Sequence, residues 1–116
     1  MDPLIDDPRF TSALSHIAAN EWEEASELFE DLFFEAVRDE VELVRVFLKL
    51  TVGMHHVERG QRRAAVQRLE EGVRAIGRVT NDRGLDLGAL KLQLREAMRA
   101  IAAGEPLPPI SISRRE

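Results

Sequence analysis

The stretch "EVELVRVFLKLTVGMHHV", about residues 40–57, constrains the fold more than any other part of this chain. Val41, Val44, Leu48 and Val52 form one row at helical spacing, and Leu43, Phe47, Leu50 and Met54 form a second. A helix that is apolar along two faces loses too much by facing water to lie at a surface. It belongs at the centre of a helical bundle, and the remaining segments must cover it.

They have the pattern to do so. Phe10, Leu14 and Ile17 share one face of a short first helix over 9–19. Trp22, Ala25, Phe29, Leu32 and Ala36 recur at steps of three and four, which predicts a second helix. Asn20 is placed to cap that helix, with Glu23 as its capping-box partner. After the break at Gly60, a fourth helix over roughly 61–79 turns Ala65, Leu69, Val73 and Ile76 inward and Arg63, Arg74 and Arg78 outward. "TNDRG" reads as a turn. "LDLGALKLQL" alternates leucines as a strand does, but Leu90, Leu94, Ala97 and Ile101 continue at helical spacing until Gly104. The tail "EPLPPISISRRE", with three prolines, should lie extended along the body or be mobile.

An internal repeat links the two halves. "NEWEEASELFED" (20–31) aligns with "GQRRAAVQRLEE" (60–71), an offset of 40 residues. Both carry a turn residue, then alanine, then a large apolar residue followed by two acids. A small residue at that place suits two helices that cross closely, as in tetratricopeptide-like hairpins. The expected fold is all-α: a single domain, 1–116, of about five helices built on two pseudo-repeated helix hairpins. Its core spans about 9–103, and residues 104–116 form the extended tail.

Composition narrows the functional classes. Apolar residues make up 44% of the 116 and charged residues 32%, a globular balance. With no cysteine there is no disulfide, thiolate zinc site or cysteine nucleophile. "MDPLIDDPRF" is acidic and lacks the apolar region of a signal peptide, and no apolar run reaches the roughly 20 residues of a membrane span. A cytoplasmic location is expected, with no membrane partner. Residues 1–44 carry 13 acidic and 2 basic side chains, whereas 45–116 carry 8 and 14. Either one half offers a surface to a charged partner, or the two halves attract each other. The basic half lacks aromatic interleaving, zinc spacing and lysine runs, so nucleic acid is not an expected partner.

One polar cluster stands out. Ser26, Glu30, Phe33 and Val37 form a row beside the main apolar stripe of the second helix, which puts Glu30 at the border of the core and Glu27 nearer solvent. Arg45, Lys49 and His56 form the one polar stripe of the central helix, and Glu30 is its expected partner. A pair of that kind would fix helix register without necessarily adding stability. Trp22 reads as core and His16 as a surface or capping residue.

At these residues the chain resembles the small all-helical proteins grouped as domain of unknown function 309. "WEEASELFEDLF" is similar to that family's y-x-e-A-H-E-x-x-E-x-x-W segment, with Ala25, Glu27 and Glu30 matching. "RVFLKLTVGMHHVERGQRRAA" is similar to its second hallmark, with His56, Gly60 and Ala65 matching. "GLDLGAL" and the proline-containing tail are similar too, so the resemblance covers about residues 12–112. Ser26 stands in place of the signature histidine, Phe33 of the tryptophan, and Arg45 and Lys49 of two glutamines. The resemblance implies a helical fold and a polar site, with no established activity.

Two functional readings follow. The first is a non-catalytic binding or scaffolding module, with a protein or peptide partner, or a second copy of itself, and no cofactor. Its candidate surface includes Ser26, Glu27, Glu30, Arg45, Lys49 and His56. The alternative is a metal-dependent, hydrolase-like site, degenerate here, in which Glu27, Glu30 and His56 hold a divalent ion that activates water. His55 adjoins His56, but the two point about 100° apart on a helix.

Overall fold

Two chain turns built alike set the architecture. The computed structural model describes residues 2–116, which form α1 (Pro8–Ala18), α2 (Trp22–Glu35), α3 (Glu40–Glu58), α4 (Arg62–Ile76) and α5 (Leu87–Ala103). Where α1 gives way to α2, Asn20 takes the left-handed conformation at φ 57°, and where α3 gives way to α4, Gly60 does so at φ 73°. At the first turn the Asn20 amide donates to Ile17 O (3.0 Å) and the Glu21 amide to His16 O (2.8 Å). At the second, Gly60 donates to Val57 O (3.0 Å) and Gln61 to His56 O (2.9 Å). Both are Schellman ends, which satisfy the last carbonyls of a helix through one left-handed residue.

Asn20 therefore ends α1 rather than capping α2. Asparagine tolerates left-handed backbone because its short polar side chain bonds locally, and the residue ahead of α2 is Glu21, which makes no side-chain cap bond. The repeat also reaches further back than residues 20–31. Phe10, Ala13 and Ile17 of α1 correspond, 40 residues on, to Leu50, Gly53 and Val57 of α3. The fold is an all-α bundle of two like hairpins, α1–α2 and α3–α4, with α5 packed on α4. No described helix is long and apolar enough to cross a membrane.

The central helix is buried as its pattern requires. Leu43, Val44, Val46, Phe47, Leu50, Thr51, Gly53 and Met54 are buried, whereas Val41, Leu48 and Val52 lie at the margin, so the two rows merge into one broad face. Buried Thr51 is satisfied by donating its hydroxyl to the carbonyl of Phe47 (2.9 Å), one turn back. Three rings tie the helices together: Phe29 stacks on Phe47 with centroids 5.3 Å apart, and Phe10 meets both edge-on at 6.1 and 5.8 Å. Such geometries are favoured by the ring quadrupole and add to the area they bury.

On the other side α3 meets α4 through small residues. A Cβ on Gly53 would lie 2.9 Å from Leu69 Cδ2 and 3.3 Å from the Ala65 carbonyl, so a larger residue would have to displace the Leu69 side chain and press on the α4 backbone. α4 accordingly buries Ala65, Leu69, Gly72 and Ala75 and leaves Val73 and Ile76 half-buried. It ends at Ile76, short of the expected residue 79.

The tail lies extended along the body. Gly104 ends α5 in the left-handed conformation, and the chain then doubles back beside it. The Gln93 amide grips the Ser111 backbone twice, at 3.0 and 2.8 Å, and the Asp86 amide donates to Ser113 O (2.8 Å). An isolated antiparallel bridge pairs Leu85 with Arg114, and Ile110 is buried. Nearby, Arg83 fastens three loops. Its side chain is 6% exposed and its guanidinium meets Asp2 at 3.0 Å and Asp39 at 2.8 Å. This is where the acidic and basic halves of the chain meet by direct ion pairing.

Phe47→Ala, which removes the ring shared by α1, α2 and α3, is expected to cost about 3–5 kcal/mol in urea denaturation. A loss below about 1 kcal/mol would show that the ring cluster does not hold these helices together.

Candidate functional site

The polar stripe of α3 finds its partners on α4 and within itself rather than on Glu30. Lys49 Nζ lies 2.7 Å from Glu71 Oε2, and Arg68 Nη2 lies 2.9 Å from Glu71 Oε1. Hydrogen bonding to Lys49, opposed by partial burial, holds the Glu71 carboxyl below the ordinary carboxylate range. Gly72 packs beside Lys49 in ordinary van der Waals contact, a Cβ there lying 3.5 Å from Lys49 Cβ, and the adjacent Glu71 reaches the ammonium.

On the α2 side the contact is aromatic. The Arg45 guanidinium sits over the Phe33 ring, 5.0 Å from its centroid, and its Nε lies 3.4 Å from Glu42 Oε1. Cation–π attraction keeps the charge at the edge of the core with its stem packed below. Arg45 Nε and Glu42 Oε2 are nonetheless buried without hydrogen bonds, so proximity rather than alignment holds this pair.

The six candidate residues thus separate. Ser26 donates its hydroxyl into its own helix, to Glu23 O at 2.8 Å. Glu27 and Glu30 are exposed and form no ion pair among the described residues, because Glu30 turns outward while Phe33 of the same row meets Arg45 of α3. His56 Nδ1 lies 2.6 Å from Gln61 Oε1 across the second turn. Glu27, Glu30 and His56 do not come together as a ligand set. Among the described residues the grouping whose donor atoms converge is His16, Glu21 and Glu24, within 4.8 Å of one another.

His16 was legible only as a surface or capping residue. Its role is set by the repeat: His16 Nδ1 lies 2.8 Å from Glu21 Oε1, as His56 does from Gln61. In both turns a polar pair takes the place of the apolar contact that commonly closes a Schellman end. The sequence signal was there, a histidine five residues before the acid or amide in each unit. Trp22 is buried, as the apolar stripe requires.

What the helices leave to solvent is a charged face on each hairpin. On α2 the exposed positions include Glu23, Glu24, Glu27, Glu30 and Asp31, none in an ion pair among the described residues, followed by Phe34 at 80% exposure. The pairs that do form lie at the helix ends, Glu21 with His16 and Glu35 with Arg9 (2.7 Å). On α4 the exposed positions include Arg62, Arg63, Gln67, Glu70 and Arg74, with Arg78 just beyond, and the one ion pair on this face is a long Arg74–Glu70 contact of 3.9 Å. Glu23, Glu27, Glu30 and Phe34 correspond to Arg63, Gln67, Glu70 and Arg74 at the repeat offset, and all eight are exposed. Of these four equivalent pairs only Glu23 and Arg63 are opposite in charge; Glu30 and Glu70 are both acidic.

Comparison with protein-family models, with curated proteins and with solved structures finds no match for this chain.

Glu30→Gln is expected to leave thermal stability within about 0.5 kcal/mol of the parent. Glu71→Gln, which breaks a half-buried pair, should cost about 1 kcal/mol after allowance for solvent screening. Thermal melts followed by circular dichroism decide it; a greater loss for Glu30→Gln would return the pairing to α2.

Proposed function

We propose that this chain is a non-catalytic protein-binding or scaffolding module of the cytoplasm, allied to the domain of unknown function 309 family, and that the outer face of α2 is its working surface. The family relation rests on the order and spacing of Ala25, Glu27, Glu30, His56, Gly60 and Ala65. The binding reading rests on one observation: among the described residues, four exposed carboxylates of α2, Glu23, Glu27, Glu30 and Asp31, stand in no ion pair and lead into an exposed phenylalanine.

The physics of that face favours a partner. Glu23 with Glu27, Glu27 with Asp31, and Glu27 with Glu30 are like charges one helical turn apart, each pair unfavourable by roughly 0.2–0.5 kcal/mol. The N-terminal end of α2 favours Glu23 and Glu24 in its first turn, but among the described residues no ion pair offsets the repulsion. A cationic segment laid along α2 would relieve the repulsion, and an apolar side chain on it would cover Phe34 and the neighbouring Val37, which is 59% exposed. The partner chemistry is that of a basic amphipathic segment.

The test is a titration of a fluorescent lysine–leucine amphipathic peptide. Glu23→Lys with Glu27→Lys should weaken binding about tenfold or more. Glu96→Lys with Glu105→Lys, which reverses as many charges on α5 and just beyond it, should leave binding nearly unchanged. Equal losses in both variants would mean that only net charge attracts the peptide, and the α2 surface would be abandoned.

A further inference from the structure

We infer that the groove between α4 and α5 is a second docking surface, of opposite preference to α2, which takes an acidic amphipathic segment of a partner protein. This goes beyond the α2 reading and does not rest on it. The groove has a volume of about 380 Å³ and is walled by two helices only, so it lies open to solvent along its length. Val66 of α4 and Ile101 and Ala102 of α5 give it an apolar lining, and Arg62 and Arg63, in the first turn of α4, stand where that wall begins. A smaller hollow of about 210 Å³ shares Arg62 and Ile101 with it and carries the apolar lining on to Val57 and Leu107.

The charge of the groove names its occupant. Arg9, Arg68, Arg83 and Arg99 lie 2.7, 2.9, 2.8 and 2.6 Å from a carboxylate oxygen. Arg62 and Arg63 are exposed and stand in no ion pair among the described residues. The acids that line the two hollows are already engaged, Glu70 by Arg74 at 3.9 Å and Glu105 by Arg99 at 3.1 Å. A guanidinium fork is matched by a carboxylate, which it can hold through two parallel hydrogen bonds. Arg62 and Val66 are one turn apart on α4. A helix that sets an acid against Arg62 therefore sets the residue one turn along against Val66 and Ile101, where a large aliphatic side chain fits. An acid and an aliphatic residue one turn apart, repeated along one face, is the pattern of an acidic amphipathic helix laid in a groove.

Fluorescence anisotropy of the full chain with a labelled glutamate–leucine amphipathic peptide, at low ionic strength, tests this. The chain has a net charge of −5, which repels such a peptide, so binding has to come from a local patch rather than from overall attraction. The parent should bind, and Arg62→Glu with Arg63→Glu should weaken binding about tenfold or more. Arg78→Glu with Arg95→Glu, which reverses as many exposed charges outside the groove, should leave binding nearly unchanged. The same peptide with alanine in place of leucine should bind the parent about tenfold more weakly.

A parent that does not bind the acidic peptide overturns the inference. So do equal losses in the two double variants, or an alanine peptide that binds as well as the leucine one, since each leaves charge without a groove. Acidic side chains suit the first turn of a helix, so the reversal of Arg62 and Arg63 should keep the parent circular dichroism spectrum. Should it unfold, Arg62→Gln with Arg63→Gln carries the same measurement without introducing new charge.

Discussion

The stacking of Phe29 on Phe47, with Phe10 edge-on to both, is the contact on which the remaining geometry depends. It joins α1, α2 and α3 at one point deep in the core. Phe29 and Phe47 have no exposed surface, and Phe10 almost none. With α3 held by these rings, α4 packs closely against it at Gly53. The charged outer faces follow from that arrangement. Once the apolar stripes of α2 and α4 are turned inward, the side chains between them have nowhere to go but water.

Connections reinforce packing. The left-handed residues Asn20 and Gly60 turn each hairpin through the same pair of backbone bonds, so α2 and α4 leave their turns in the same way. Arg83, held among Asp2, Asp39 and the carbonyl of Asn81, closes the far end. Burial pushes the Asp2 carboxyl up, but its bonds from the Ile5 and Leu4 amides and from Arg83 outweigh that and hold it below the ordinary range. The Arg83 hydrogen bond lowers Asp39 likewise. A carboxylate lowered by folding stabilises the fold above about pH 4 and loses that contribution as the pH falls through its folded value. The clasp is therefore a feature of neutral solution and weakens in acid.

Much of this was legible in the sequence, for reasons that periodicity explains. Helical spacing tells which face a residue occupies, so the stripes of α2 and α5 and the burial of α3 could be read directly. The offset of 40 residues gave the hairpin pair. Spacing does not tell which neighbour approaches a face. Spacing points Lys49 toward Glu30, but it meets Glu71, because α4 packs along that side of α3 and Glu30 faces solvent. Asn20 was expected to cap α2, since asparagine serves both ends of a helix and only its left-handed backbone distinguishes them. Periodicity alone extends the fourth helix to about residue 79, because Val73, Ile76 and Val79 keep the spacing past Ile76, where the helix ends.

The site was less legible than the fold because its meaning lies in what is unpaired. Acidic residues on α2 could be counted, but which of them lacked a cation depended on where Arg9, Arg45, Lys49 and His16 went. The central claim is that the exposed acidic face of α2 is a docking surface for a basic amphipathic segment. Amide nitrogen–proton correlation spectra recorded through a titration with a lysine–leucine peptide test it most directly. Shifts confined to residues 21–37 are predicted, while α5 and the tail stay fixed. Shifts centred on Leu92 or the tail, or none at all, would contradict it.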